Sequence, residues 1–435
     1  MREYLFFILA CLFFFQVKAQ YQTVPCATTD YISWLETQQP GITSDINEAF
    51  FNAKRNSLIK YKNKKDTIYT IQVVFHVLYN NSSQNIDDQY IESQLDVLNA
   101  CFRRTNADTV NTRAVFLPVA ADAGIEFKLA EEDPDGNPTT GIIRKQTALQ
   151  TFGTIPINLA AVDRVKLSPY GSPAWDTEQY LNIWICDLSS NGFDALLGYA
   201  YPPTNADNWN TNSFTTQNKQ GVVVHYKVVG ENNPFSLSTA EKTTVHEVGH
   251  YLGLRHVWGD GSRNQGCNVD DFMEDTPNSR AASNGCNKSQ NTCIDNPGDL
   301  PDMLENYMDY SDGNCQNMFT AQQVDQMRAN LKLFRSGIAS VRYPEPLPEP
   351  VVFAEYGLHP NPVIEDLAVH LTDVDENASY TLEIFNILGQ KVRNVMLQAQ
   401  SLQHVSNLSD LHGYYVCSLQ KNQEVLMTQK VIFNP

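Results

Sequence analysis

The sequence predicts an α+β protein that is followed by a small C-terminal β-sandwich. Over most of the chain, short segments of β-branched and alternating apolar residues alternate with segments of helical periodicity. A proline-alternating stretch, Tyr343–Pro350, then predicts an extended spacer. Beyond it, about seven short strand patterns separated by turn residues indicate a sandwich.

The elements of the first region follow from these patterns in chain order. Strands alternate or are apolar throughout, and helices repeat their apolar residues every three or four positions. The predicted elements are a strand at Thr67–Tyr79, a helix at Asp87–Arg104, strands at Gly124–Glu131, Asn182–Leu188 and Val222–Val229, and helices at Glu241–Leu254 and Thr320–Phe334.

The N-terminus predicts export. Arg2 precedes the apolar run Leu5–Phe15, and small residues stand before Gln20, so residues 1–19 have the pattern of a signal peptide. A lipoprotein signal at Cys11 is the alternative, although the apolar run continues beyond that cysteine. No later stretch is apolar and long enough to cross a membrane.

Composition narrows the classes of partner. A chain of 435 residues with 42% hydrophobic residues predicts two or three domains with real cores. The formal net charge of −18 disfavours nucleic acid and anionic membrane surfaces as partners. We expect a monomer.

The segment from His246 to His256 carries the residues of a metal site. His246 and His250 are four residues apart, so on a helix both imidazoles project from one face and can share an ion. Glu247 points beside the metal, where a carboxylate can take a proton from water. Gly253 can adopt the positive φ that ends the helix and lets His256 return as a third ligand. Three protein ligands are typical of a catalytic zinc, because they leave one position open.

The same region resembles a known family. The segments HEVGHYLGLRHVWGD, Asp275–Pro277 and NYMDYSDGNCQNMFTAQQVDQM are similar to the pappalysin family of metzincin metallopeptidases. Weaker similarity upstream extends the resemblance over most of residues 66–340. It implies a two-subdomain zinc peptidase with a twisted sheet, a zinc helix and a Met-turn, which acts on proteins or peptides.

The resemblance also implies roles for two residues that follow the zinc motif. Met308, in the Met-turn, would be the hydrophobic base under the metal and not a ligand. The hydroxyl of Tyr310 would stabilise the oxyanion that forms during peptide hydrolysis. A tyrosine that only packs is the alternative for Tyr310.

Four cysteines, Cys267, Cys286, Cys293 and Cys315, cluster between the zinc helix and the last helix. Export permits disulfides, but spacing alone leaves three pairings open, and a second, structural zinc is a competing interpretation. The resemblance implies the pairs Cys267–Cys293 and Cys286–Cys315.

The segment Asn268–Asp275, beside these cysteines, has four acidic residues among its eight. Calcium favours clustered carboxylate and carbonyl oxygens. The resemblance supports a calcium loop with Asp271, Glu274 and Thr276 as ligands, and a solvated acidic loop is the alternative.

Cys26 lies near the mature N-terminus, ahead of the basic run at Lys60–Lys65. Pappalysin-like proenzymes are similar in placing a cysteine in the pro-segment, where its thiolate caps the zinc and keeps the enzyme latent. Ala27 stands where such relatives usually have glycine. A leftover unpaired cysteine is the alternative.

The C-terminal region carries a second resemblance. The segments HPNPVIEDLAV, FNILGQKV, LHGYYV and KVIFNP resemble the C-terminal sorting domain of the Bacteroidetes type IX secretion system. This implies the secretion machinery as a partner, and a destination outside the cell or on its surface, reached through the periplasm of a Gram-negative bacterium. From the residues alone, an adhesive or carbohydrate-binding module fits equally.

The predicted organisation is a signal peptide (1–19), a pro-segment (20–65), a catalytic domain (66–342), a proline-rich linker (343–352) and a sorting domain (353–435). The predicted function is a secreted zinc endopeptidase, made as a latent proenzyme, in which Glu247 assists zinc-bound water. A binding protein or adhesin on a retired peptidase scaffold is the alternative. The presence of Glu247 with all three histidines favours the enzyme.

Overall fold

The structure is a computed structural model that describes residues 22–57, 67–204, 219–237, 242–260, 266–295, 298–342, 356–359, 361, 363, 366–371 and 374–434. The predicted signal peptide, the Lys60–Lys65 run and the predicted linker lie outside the described residues. The chain forms two compact units, with the boundary between Pro344 and Glu345.

In the first unit, each of the seven predicted helices and strands is present and shorter than its sequence pattern, and the structure adds further elements that were not predicted. The helices are α1 (Thr28–Gln38), α2 (Ile42–Ser57), α3 (Asp88–Phe102), α4 (Leu159–Val162), α5 (Thr243–Tyr251) and α6 (Ala321–Phe334). The strands are β1 (Ile68–Tyr79), β2 (Ala120–Ala121), β3 (Ile125–Leu129), β4 (Ile142–Gln146), β5 (Leu181–Cys186), β6 (Ser189–Ser190), β7 (Phe193–Asp194), β8 (Gly198–Ala200), β9 (Val222–His225), β10 (Phe319–Thr320) and β11 (Ala339–Arg342).

A mixed, twisted sheet organises this unit. Its strands follow the order β11-β1-β5-β9-β8, and β3 and β4 also pair with β1. The pairs that β1 makes with β3, β4 and β5 are parallel, whereas β8 runs antiparallel to β9 at the end of the order. One core cluster joins the sheet to the helices and includes Val73 and Phe75 from β1 and Val248 from α5. The predicted α+β fold is confirmed.

The N-terminal helices pack against this unit. In α2, Ile46, Ala49, Phe50 and Ala53 are buried, at the spacing that places them on one helix face. That face contacts α6, and the Gln326 side chain donates to the Phe50 carbonyl oxygen (3.1 Å). Tyr31 and Leu35 of α1 enter a second core cluster.

The second unit is the predicted β-sandwich. Its strands are β12 (Tyr356–His359), β13 (Leu367–Leu371), β14 (Tyr380–Phe385), β15 (Lys391–Leu397), β16 (Leu402–Val405), β17 (Gly413–Lys421) and β18 (Glu424–Phe433). They form a three-stranded sheet, β12-β13-β16, and a four-stranded sheet, β15-β14-β17-β18. Alternate residues of β13 and β14, such as Val369 and Leu382, are buried in one shared core. In the described part of the chain, no helix has the length and apolar character that a membrane span needs.

Candidate metal centre

The predicted zinc ligands converge at the end of α5. The Nε2 atom of His250 lies 3.1 Å from Nε2 of His246 and 3.1 Å from Nε2 of His256. Nitrogen ligands bound tetrahedrally to zinc at about 2.0–2.1 Å stand about 3.3 Å apart, so this spacing fits one zinc ion. Burial, followed by the neighbouring His256 imidazole, lowers the pKa of His250 to about 3. The imidazole is therefore neutral, which is the state that ligates a metal.

Each imidazole is oriented through its other nitrogen. The Nδ1 atom of His246 lies 2.7 Å from the Tyr307 carbonyl oxygen, and that of His250 lies 2.9 Å from the Leu254 carbonyl oxygen. The Nδ1 atom of His256 lies 3.1 Å from Oδ1 of Asp260. With Nδ1–H donating to these acceptors, every Nε2 presents its lone pair to the shared point. Asp260 was not among the predicted residues, although its spacing of four residues from His256 is a usable signal.

Two glycines and Met308 shape the helix around the metal centre. Gly253 has φ +89°, the predicted positive value, and follows the end of α5. Gly249, inside α5, lies directly over Met308, because a Cβ atom there would stand 2.5 Å from the Met308 sulfur. Met308 is fully buried beneath the helix, at the position expected for the base of the site. Because glycine weakens a helix interior, Gly249 in the sequence could have indicated that another residue packs closely against the helix there.

Glu247 lies beside the histidines and is completely buried. Burial raises the pKa of Glu247 to about 8, and hydrogen bonds from Cys26 and Thr28 only partly oppose this effect. Gly198 of β8 leaves room for this side chain, since a Cβ atom there would lie 2.9 Å from Cγ of Glu247. The requirement for glycine at residue 198 could not be predicted from local sequence.

The segment around Cys26 fills the space in front of the histidines. The Cys26 sulfur and the three histidine nitrogens all lie within 4.8 Å of one another. The Cys26 thiol donates to Glu247 Oε2 at 3.4 Å, and the Thr28 hydroxyl donates to the same oxygen at 3.1 Å. Thr28 was not predicted as a site residue. The segment is held along β8 and the residues before it by hydrogen bonds from Val24 N–H to the Ala195 carbonyl oxygen and from Ala27 N–H to the Gly198 carbonyl oxygen, each 3.0 Å long.

Tyr310 faces the same space from the other side. Its hydroxyl donates to the Cys26 carbonyl oxygen at 3.1 Å, and its ring centroid lies 5.5 Å from that of His246. Tyr310, Asp312 and Lys242 line a side pocket that also contacts Pro25. The tyrosine hydroxyl therefore contacts a peptide carbonyl group next to the histidines.

The cysteine-rich segment between α5 and α6 is tied by two disulfides. They join Cys267 to Cys293 and Cys286 to Cys315, the pairing implied by the resemblance. A second zinc on these four cysteines is thereby excluded. Within the same segment, the Asp271 Oδ1 atom accepts hydrogen bonds from the Thr276 hydroxyl (2.7 Å) and from the Met273 N–H (3.0 Å). The Glu274 side chain is exposed, and its N–H donates to Gln322.

The sequence matches two known families. A model described as pregnancy-associated plasma protein-A matches residues 170–332, and one described as a secretion system C-terminal sorting domain matches residues 357–434. Extracellular metalloprotease 1 of Coccidioides posadasii is 30% identical over 273 residues, which are 61% of this chain and 78% of that protein. An extracellular metalloprotease of Arthroderma benhamiae is 29% identical over 270 residues, 62% of this chain and 79% of that protein.

Solved structures of a bacterial metalloprotease are also similar. A Tannerella forsythia promirolysin mutant has 36% sequence identity and a TM-score of 0.59, with 73% of this chain and 97% of that chain covered. Mature mirolysin of the same organism, in complex with a cleaved peptide, has 43% sequence identity and a TM-score of 0.52, and the match covers 60% of this chain and 90% of that chain.

Fold and site together define a secreted zinc metalloendopeptidase of the metzincin type. The chain belongs to the pappalysin family. Its C-terminal unit is a type IX secretion sorting domain, which indicates export from a bacterium of the Bacteroidetes.

Proposed function

We propose that the chain is a latent endopeptidase in which His246, His250 and His256 hold one catalytic zinc ion and Glu247 is the general base. One observation carries this proposal. Three buried Nε2 atoms meet at one point with their Nδ1 atoms already hydrogen-bonded, and a buried carboxylate lies beside them.

The residues around the metal centre suggest how a peptide bond is hydrolysed. Zinc, when bound, supplies a Lewis acid that activates water and polarises the peptide carbonyl group. Glu247 accepts a proton from the attacking water and passes it to the departing amine. Tyr310 donates a hydrogen bond to the oxygen that gains charge, as its hydroxyl already does to the Cys26 carbonyl oxygen. The substrates are proteins or peptides.

Latency is the second part of the proposal. Cys26 lies where it would be the fourth ligand of a tetrahedral zinc, which removes the position that water needs. Cys26 and Thr28 also both contact the general base, and the Cys26 carbonyl oxygen takes the Tyr310 hydroxyl. A single short segment therefore hydrogen-bonds to Glu247 and Tyr310 and holds its sulfur within 4.8 Å of the three histidine nitrogens.

We further propose the domain limits given by the sequence: a signal peptide at 1–19, a pro-segment at 20–65, a catalytic domain at 66–342, a linker at 343–352 and a sorting domain at 353–435. We expect the exported protein to be a monomer that engages the secretion machinery and does not bind nucleic acid. The intact mass of the exported protein tests the proposed cleavage limits, and light scattering tests whether it is a monomer.

Activity of the processed enzyme should depend on zinc. We expect a chelator to abolish casein hydrolysis and one equivalent of zinc to restore it, because zinc held by the three histidines would supply the Lewis acid that the mechanism needs. Elemental analysis should give one zinc per chain, lost in His250→Ala. The matched control is His404→Ala, an exposed histidine of the second unit, which should keep both zinc and activity. Full activity of verified zinc-free protein would contradict the proposal.

Removing the Tyr310 hydroxyl should slow catalysis without weakening substrate binding. We expect Tyr310→Phe to lower kcat by about 10- to 100-fold and to leave KM nearly unchanged, because the hydrogen bond strengthens only as charge develops. Steady-state kinetics on one peptide separates the two constants. An unchanged kcat would remove Tyr310 from the mechanism.

We also propose a calcium ion at Asp271, Thr276 and Glu274. Among the described residues, Asp271 Oδ2 is buried without a hydrogen-bond partner, and burial raises the pKa of Asp271 to about 8. A cation at this oxygen would restore the charged carboxylate. We expect millimolar calcium to raise Tm by a few degrees in the wild type and not in Asp271→Asn. Equal Tm values with and without calcium in the wild type would identify a solvated loop instead.

A further inference from the structure

A buried charged cluster surrounds the side chain of Tyr199, the middle residue of β8. The Asp163 carboxylate lies 3.0 Å from the Lys166 ammonium and 3.2 Å from the Lys219 ammonium. The hydroxyls of Tyr31 and Tyr199 both donate to Asp163 Oδ1, each at 3.1 Å. Asp163 is 1% exposed and Tyr31 is completely buried. Such a cluster is costly to bury, so each of its members must be well paired.

The cluster contacts both ends of the Tyr31 side chain. Its carboxylate binds the hydroxyl, and the Lys166 ammonium lies 5.1 Å from the centre of the ring. That ammonium also lies 4.8 Å from the Tyr199 ring and 5.4 Å from the Trp184 ring, at cation–π distances. The Tyr199 ring packs against the Tyr31 ring with centroids 4.8 Å apart. A phenol is therefore recognised by its hydroxyl and by its face.

The protonation states fit this recognition. Burial would raise the pKa of Asp163, but the two lysines outweigh burial and the pKa lies below its ordinary value. Burial and the nearby Asp163 raise the pKa of Tyr31 well above its ordinary value. The carboxylate accordingly accepts, and the phenol keeps its proton and donates. A phenylalanine in the same place would leave the carboxylate short of one donor.

The cluster is adjacent to the strand along which the N-terminal segment runs. Tyr199 belongs to β8, whose neighbouring Gly198 carbonyl accepts from Ala27 N–H, and whose Ala200 N–H donates to the Thr28 hydroxyl. Tyr31 follows Cys26 by five residues, whereas Pro25, before Cys26, contacts the pocket of Tyr310. Pro25 and Tyr31 thus precede and follow Cys26, whose sulfur lies within 4.8 Å of the histidine nitrogens. From Cys26 to Tyr31 the chain advances roughly 10 Å, the length of about three extended residues.

Within this cluster only Tyr31 belongs to the proposed pro-segment. Asp163, Lys166, Trp184, Tyr199 and Lys219 all belong to the proposed catalytic domain, so they stay when the pro-segment leaves. We propose that these five residues, here named the tyrosine site, form a substrate subsite that binds a tyrosine about three residues from the cleaved bond, as Tyr31 stands beyond Cys26 in the chain. Tyr31 fills this subsite in the latent chain. The inference rests on the proposed function, because it requires a peptidase that releases its pro-segment.

Matched substrates test the tyrosine site without altering the enzyme. Processed wild-type enzyme is first profiled on a peptide library to find its cleaved bonds. Three otherwise identical peptides then carry Tyr, Phe or Ala at the position about three residues from the cleaved bond that the tyrosine site is proposed to bind. We expect kcat/KM for the Tyr peptide to exceed that for the Phe peptide by about tenfold, as a hydrogen bond to a charged group allows, and the Ala peptide to be poorest. Equal values for Tyr and Phe would overturn recognition of a phenol, and equal values for all three would overturn the subsite.

An enzyme variant gives the matched control. Asp163→Asn should reduce the Tyr-to-Phe ratio towards one, whereas the same change at the exposed Asp135 should leave the ratio at the wild-type value. A ratio that persists in a folded Asp163→Asn protein would assign the preference to another part of the cleft and overturn the inference. The two hypotheses fail differently: absence of any zinc-dependent cleavage refutes the proposed function, whereas cleavage without a tyrosine preference refutes only the tyrosine site.

Discussion

Replacing Glu247 with alanine is expected to lower kcat of the processed enzyme by about 10²–10⁴-fold, because Glu247 takes the proton from water in the proposed mechanism. The zinc content should stay at one per chain, since Glu247 is not a ligand in the proposed site. Casein clearing and zinc analysis on the same preparation check both statements.

The matched control for Glu247→Ala is Glu231→Ala, the same change at an exposed glutamate. It should leave casein clearing at the wild-type level. Equal clearing by wild type and Glu247→Ala would overturn the enzymatic mechanism and favour a binding protein on a peptidase scaffold.

Loss of the Cys26 thiol should weaken latency. In full-length protein whose Lys60, Lys62, Lys64 and Lys65 are replaced by glutamine to prevent cleavage there, we expect Cys26→Ala to raise peptidase activity by at least about tenfold. The physical reason is that the zinc regains an open position for water. Activity should stay below that of processed enzyme, because Thr28 still donates to Glu247. A continuous assay with a quenched fluorescent peptide measures the difference.

A cysteine elsewhere supplies the control for this experiment. Cys417 is a free, buried thiol in the core of the second unit, and Cys417→Ala should leave latency intact. Activity that is equal and complete with and without the Cys26 substitution would show that the thiol has no inhibitory part.

The residues that were predictable from sequence are those whose geometry is local. His246 and His250 follow from helix periodicity, and the positive φ of Gly253 follows from the need to bring His256 back. The disulfide pairs needed the family resemblance, since spacing left three combinations open. The zinc helix was predicted too long, as Glu241–Leu254, whereas α5 is Thr243–Tyr251. At its C-terminal end, the turn around Gly253 stops the helix before Leu254.

Contacts between distant segments could not be predicted from the sequence. Thr28 reaches Glu247 across 219 residues, and Tyr31 reaches Asp163 across 132 residues. No periodicity or motif links such positions, because the fold alone brings them together. Asp260 is the exception, since it lies four residues from the ligand that it orients.

The packing of α2 on α6 has a kinetic consequence. A cut in the stretch between α2 and β1 would break the covalent link, but Phe50, Gln326 and their neighbours would still hold the two helices together. Scission and release are then separate events. The first depends on a protease, whereas the second is a dissociation that dilution favours and that a surplus of the freed peptide reverses. Export from a crowded periplasm into open surroundings would by itself shift that equilibrium towards the uninhibited enzyme.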